Sequence, residues 1–285
     1  MQIISFFLII TLLGNLFFAA AQTSRRNSAN SYLERGNKWL KKGDVERAIE
    51  DFSLAVSSDP TLDQAYFNRG MARERKGDNE GAMNDYNKTL QLNAKNIEAY
   101  LSRGVLLIKL ADYKNALNDF EQVIILNPKE TRVWSNQGIA QHYSGNYEAA
   151  VHAYTRALKF NPNDAGVLAA RGDVRLQMND LPRALLDCNQ ALQLDERNII
   201  AWHTRGNVFI RKKEFAKALA DFDQAVKLNP REAYLLCSRG LAYLYLNHLD
   251  AAEKDFVRCH DLGGLLNSEA EHLLKEQQRR RVPKK

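Results

Sequence analysis

Seven glycines, Gly36, Gly70, Gly104, Gly138, Gly172, Gly206 and Gly240, stand 34 residues apart without one insertion or deletion. This period constrains the fold more than any other feature of the 285 residues, because it calls for one small unit repeated rather than one globular body. Glycine inside a helix costs about 1 kcal/mol relative to alanine, so its return at one place in every repeat demands a packing reason. The rest of the frame supplies that reason. Twelve residues after each glycine comes Ala48, Ala82, Ala116, Ala150, Ala184, Ala218 or Ala252. Four residues later an aromatic follows in six repeats: Phe52, Tyr86, Phe120, Tyr154, Phe222 and Phe256.

Around each glycine Tyr66, Phe67, Gly70 and Met71 in the second repeat, or Trp134, Gly138, Ile139 and His142 in the fourth, fall at helical spacing. This predicts a first helix ending near Gly43, Gly77 or Gly145, with Asp44, Asp78, Asp112, Asn146 and Asp180 placed to cap a second. Pro182 suits a first helical turn, where its missing N–H has no partner to lose. The second helix runs through Ala-x-x-x-aromatic and stops at Leu-Asn-Pro, with Pro60, Pro128, Pro162 and Pro230 in register. Each 34-mer therefore reads as a helical hairpin whose helices cross closely where glycine and alanine remove bulk.

With Tyr32, Tyr66, Tyr100, Trp134 and Trp202 at the early aromatic place, this pattern resembles the tetratricopeptide repeat family over seven repeats, residues 29–266. Departures are local. Leu168 and Leu236 replace the early aromatic, Cys188 the later one, and Ala94, Glu196 and Gly264 stand where proline is usual. The resemblance implies an all-α solenoid, a right-handed superhelix of stacked helix-turn-helix repeats, because a hairpin this short cannot bury its own apolar face. Residues 267–285 are expected as a capping helix and basic tail. Ser268, Glu269, Ala270 and Glu271 read as a capping box, and Leu266, Ala270, Leu273 and Leu274 as one covering stripe.

Arginine precedes the glycine in six repeats, and an aspartate stands sixteen residues after that arginine: Arg35 and Asp51, Arg69 and Asp85, Arg103 and Asp119, Arg171 and Asp187, Arg205 and Asp221, Arg239 and Asp255. The fourth repeat lacks both, holding Gln137 and Ala153. Arg35 lies eight residues before the Gly43 turn and Asp51 eight after it, which sets them level across an antiparallel hairpin. These are read as structural ion pairs within each repeat.

In the family the first helices line a concave face, so binding is sought there. The facing places run Leu33, Phe67, Leu101, Ser135, Ala169, His203, Cys237, and then Asn37, Met71, Val105, Ile139, Asp173, Asn207, Leu241. The first half is apolar. Phe67, Met71, Leu101, Val105, Ile108 and Ile139, edged by Lys41, Arg75 and Lys109, are the expected groove for a protein or peptide segment with apolar anchors. The alternative for these residues, above all Val105 and Ile139, is packing against the neighbouring repeat. A carboxylate clamp of the kind some relatives carry is rejected. Asn37 and Asn68 match it, but Leu33, Glu98 and Ser102 stand where its cations belong.

Other chemistry finds no foothold. The six histidines are scattered, with no i, i+4 pair for a metal, and there is no nucleophile elbow or phosphate loop, so no enzyme, metal or cofactor is expected. Three cysteines cannot all pair and show no C-x-x-C, so neither a disulfide framework nor a zinc site is indicated. Cys188 and Cys259 take core places, and Cys237 reads as a groove residue. The net charge of +6 sits at the ends: +5 from 275–285 and +2 from Arg25 and Arg26 leave −1 over residues 29–274. No nucleic acid is therefore expected along the body.

Residues 1–21, uncharged from Ile3 and ending in Ala19, Ala20 and Ala21, read as a secretory signal cleaved before Gln22, with residues 22–28 as a linker. The alternative is an uncleaved membrane anchor. The expectation is an exported, periplasmic or secreted scaffold without catalysis, its runner-up a membrane-tethered scaffold in which only the leader meets the bilayer.

Overall fold

The computed structural model describes residues 2–281, with side chains from 22 to 280. Among the described residues all regular structure is helical. The helices are α1 (Gln2–Lys41), α2 (Val45–Ser58), α3 (Asp63–Lys76), α4 (Asn79–Leu92), α5 (Ile97–Lys109), α6 (Tyr113–Leu126), α7 (Arg132–Tyr143) and α8 (Tyr147–Phe160). They continue as α9 (Ala165–Gln177), α10 (Leu181–Leu194), α11 (Ile199–Arg211), α12 (Phe215–Leu228), α13 (Ala233–Tyr245), α14 (Leu249–Asp261) and α15 (Ser268–Arg281). Seven hairpins and one further helix give the expected all-α repeat fold. The signal or anchor expected at 1–21 and the last residues of the basic tail lie outside the residues whose side chains are described. Residues 22–28, expected as a linker, are instead exposed helix continuous with the first hairpin.

The caps explain where each second helix begins. Asp44, Asp78, Asp112 and Asp180 accept from the backbone N–H of Arg47, Gly81, Asn115 and Arg183, each satisfying an orphan donor of the first turn. Asn146 holds the same place but turns its amide to Gln141 and Ser144. The turn before each cap needs one left-handed residue. Gly43, Gly77 and Gly145 supply it at φ near 80–90°, whereas Ala111, Asn179, Lys213 and Asn247 adopt it at φ 60°. Between repeats, Asp59, Asn93, Asn127 and Asp195 end the second helix, and their side chains accept from the backbone N–H two residues on.

The periodic glycine meets its expected partner. A Cβ built on Gly36, Gly104, Gly138, Gly206 or Gly240 would stand 2.5 Å from a ring carbon of Phe52, Phe120, Tyr154, Phe222 or Phe256. At Gly172 the neighbour is the smaller Cys188 Sγ, at 2.9 Å. The glycine is thus the recess into which the second helix inserts its large side chain, and those rings are buried.

Two compact units divide the chain, Met1–Val133 and Trp134–Lys285. In the first, Ala48 and Phe52 pack on Ala72 of the next hairpin, and Phe67, Ala82, Tyr86 and Leu90 on Ala99 and Leu106 of the one after. In the second, Leu176 and Ala184 pack on Val208, and Ala218 and Phe222 on Ala242. Within each unit, these hairpins complete the core of the one before. The last is closed by α15, whose Ala270, Leu273 and Leu274, with Leu266, lie against Leu241, Leu244, Ala252 and Phe256. The cap of α15 is corrected by one residue: Asn267 Oδ1, not Ser268, accepts from Ala270 N–H at 2.8 Å.

Candidate functional site: the faces of the first helices

The arginines are committed to structure. In all six repeats that carry the pair, Nε and Nη2 donate to both carboxylate oxygens of the expected aspartate at 2.5–2.9 Å. This bidentate form is the strong one. The remaining Nη1 reaches back to the second helix of the preceding repeat, donating to Ser53, Asn87, Thr155, Asn189 or Asp223 at 2.6–3.3 Å. One guanidinium therefore locks its own hairpin and ties it to its neighbour. Arg35, Arg69, Arg103 and Arg205 also lie 4.8–5.7 Å from the ring centre of the early aromatic three residues before them. In the fourth repeat Arg156, from the second helix, takes that place over Trp134. A second arginine joins the carboxylate in two repeats, Arg73 on Asp85 and Arg175 on Asp187.

The expected groove is only partly on the surface. Phe67 and Leu101 are corrected: both are buried, at 6% and 5% exposure. Phe67 packs in the core with Tyr86, Leu90 and Leu106, because the stack closes over this column of the first helix. Met71, Ile108 and Ile139 are half-buried, Val105 is 41% exposed, and Lys41, Arg75 and Lys109 are exposed. Lys109 donates to Asn79 Oδ1 of the preceding repeat, so it also bridges the stack. Ile139 belongs to the second unit.

The amides that resembled a clamp are occupied. Asn68 accepts from Gln64 and donates to Asn37, each at 2.7 Å, while Glu98 is held by Arg132. In the second unit the same columns include polar residues that are linked to their neighbours. Asp173 accepts from Thr204 at 3.4 Å and lies 3.7 Å from His142, and His203 Nε2 is 2.9 Å from Ser238 Oγ and 3.2 Å from Asn207. Burial lowers the His203 imidazole to about 4.

Cys237 is also corrected. It is joined to Cys259 in a disulfide across α13 and α14. The count of three concealed this pair, since the odd residue, Cys188, is simply a buried thiol pushed up to about 12 by burial. Cys237 and Cys259 lie 22 residues apart on facing helices of one hairpin, a signal visible only once the repeat frame is applied to both. Among the described residues no cluster of metal-ligating side chains occurs.

Comparison with known proteins agrees with this geometry. Profiles described as tetratricopeptide repeat match residues 63–96, 97–130, 131–164 and 199–232. The chain is a tetratricopeptide repeat protein. Among solved structures, a tetratricopeptide repeat protein from Parabacteroides merdae is similar over 88% of this chain and 99% of its own, with TM-score 0.71 and 22% identity. PilF of Pseudomonas aeruginosa is similar over 73% and 94%, with TM-score 0.61 and 19% identity. YrrB, described as a TPR protein with an unusual peptide-binding site, is similar over 63% and 92%, with TM-score 0.53 and 22% identity. No curated protein matches. At these identities the likeness establishes the tetratricopeptide fold, which serves as an interaction scaffold.

Proposed function

We propose that this tetratricopeptide repeat protein is a non-catalytic scaffold of an extracytoplasmic compartment that holds a partner segment against the faces of its first helices. The observation that carries the binding reading is the division of labour between residues. The repeated arginines, aspartates, glycines and aromatics are consumed in locking the stack, while residues that differ from repeat to repeat, such as Val105, Met71 and Ile108, are left at the surface of the first helices. Partly exposed apolar side chains on a unit that also exposes Arg75 and Lys109 fit a segment with apolar anchors and acidic flanks. Panning a random peptide library on the protein tests this. Enriched peptides should carry apolar anchors, and Val105→Asp should weaken them at least about tenfold with an unchanged melting temperature. Equal binding by the variant refutes the assignment of this face.

The extracytoplasmic part is supported by the pairing of Cys237 with Cys259, since such bonds persist in oxidising compartments, and by the apolar leader. A tethered scaffold is the second reading. It is favoured by residues 22–28, which extend the first hairpin as helix and leave no extended stretch after Ala21. N-terminal sequencing of the protein recovered from its host distinguishes the two: Gln22 first means a cleaved signal, Met1 an anchor.

A further inference from the structure

Asp173 is the one aspartate on the two facing columns of the first helices, and it is treated differently from every structural aspartate in the chain. The six helix-locking carboxylates each receive a guanidinium in bidentate contact at 2.9 Å or less. Asp173 receives none. Its Oδ2 lies 3.7 Å from His142 Nε2, and its Oδ1 accepts a long bond of 3.4 Å from Thr204. Both contacts lie outside the range of a charge-assisted hydrogen bond. Burial raises the Asp173 carboxyl, with His142 and Thr204 only opposing that shift. The carboxylate is nevertheless not sealed, since its side chain keeps 29% of its exposure.

Its surroundings complete the argument. Tyr234, 44% exposed, stands edge-on to the His203 ring with centroids 4.9 Å apart, and its phenol is raised by burial first, then by the charge of Glu232 and last by that of Asp173. Tyr143, 64% exposed, stacks on the His142 imidazole at 5.3 Å. A half-buried carboxylate without a full counter-charge, with accessible aromatic rings on helices to either side, is the chemistry that receives a cation from outside. We propose that Asp173 is the floor of a subsite for a lysine or arginine side chain of the bound segment, with Tyr234 and Tyr143 as its flanks. This rests on the scaffold reading above and adds the charge of one residue in the partner. It also assigns the second unit a role opposite to that proposed for the first. An entering ammonium or guanidinium supplies the contact that His142 is too distant to make, and Thr204 orients the second oxygen.

The test is an NMR titration of the full chain at pH 7 with N-acetyl-arginine amide, and in parallel with N-acetyl-citrulline amide, its neutral isostere. Saturable shifts in α7, α9 and α11 with the arginine derivative, at least about tenfold tighter than with citrulline, are expected. Asp173→Asn should abolish the difference while the melting temperature and the remaining spectrum hold. Asp173→Glu, which keeps the charge, should retain part of it and guards against a folding defect in the amide variant. No shifts, equal shifts from the two probes, or a preference that survives Asp173→Asn would each overturn the subsite. Since this readout lies in α7–α11 and the Val105 test in α5, either can fail without the other.

Discussion

Removing the carboxylate of Asp119 tests the central structural claim, that the Arg–Asp pairs hold each repeat together. Asp119 is 5% exposed and Arg103 23%, joined by bonds of 2.6 and 2.8 Å. The pair holds the guanidinium above its ordinary range, through the hydrogen bond to Asp119 first and against the opposing effect of burial. Asp119→Ala leaves a mostly buried guanidinium with its 2.6 Å bond to Asn87 and its place over the Tyr100 ring but no counter-charge. Breaking one side of a buried pair costs about 3–5 kcal/mol, and the partial exposure of Arg103 places this case near the lower end, about 3 kcal/mol. In a unit of 133 residues that lowers the melting transition by about 10 °C. Thermal melts followed by circular dichroism give the magnitude, and hydrogen exchange locates the loss in α5 and α6. The decisive control is Arg103→Gln combined with Asp119→Ala, which reproduces the Gln137 and Ala153 that the fourth repeat carries naturally. Removing the orphaned charge should recover at least half of the loss. If the single change costs no more than an exposed pair, about 1 kcal/mol, or if the double variant is worse than the single, the pairs are not what locks the hairpins.

Four further outcomes follow from the same geometry. Gly206→Ala places a Cβ 2.5 Å from the Phe222 ring, so it should lower the melting temperature of the second unit, whereas Gly263→Ala, with open space around it, should leave the packing of that unit undisturbed and pay only for its left-handed φ of 81°. His203 is neutral and half-buried, with Asn207, Ser238, Tyr234 and Phe222 around it. Because its folded value of about 4 lies below the ordinary 6.5, the unfolded chain binds the extra proton first, so stability is full above pH 6.5 and falls by up to ~3 kcal/mol as pH drops from 6.5 to 4. Urea titrations across that range on wild type and His203→Gln check this, and an unchanged slope in the variant refutes it. Reduction of Cys237–Cys259, which closes a loop of 22 residues, should cost roughly 3 kcal/mol, and a thiol assay in denaturant should count one thiol before reduction and three after. Truncation before Asn267 uncovers Leu241, Leu244 and Phe256 and should give an aggregating protein by light scattering, against a monodisperse full chain.

The glycine period by itself determined that the chain is an array of helical hairpins, because a fixed 34-residue spacing with caps and breakers in register leaves no other use for an alanine and an aromatic at constant offsets. It also determined that Arg103 meets Asp119 and that Leu273 and Leu274 cover the last repeat, since level placement across a hairpin and an unpartnered apolar stripe are one-dimensional facts. What it left open were questions of depth. Phe67 and Val105 occupy neighbouring columns of equivalent helices and look alike in the frame, yet one is 6% and the other 41% exposed, because the fit between successive hairpins decides how far each column sinks. The pairing of Cys237 with Cys259 and the shortage of counter-charge at Asp173 belong to the same class. Each depends on distances between side chains of different helices, down to the 0.8 Å that separates a 2.9 Å ion pair from a 3.7 Å one, and such distances are fixed only when the helices have packed.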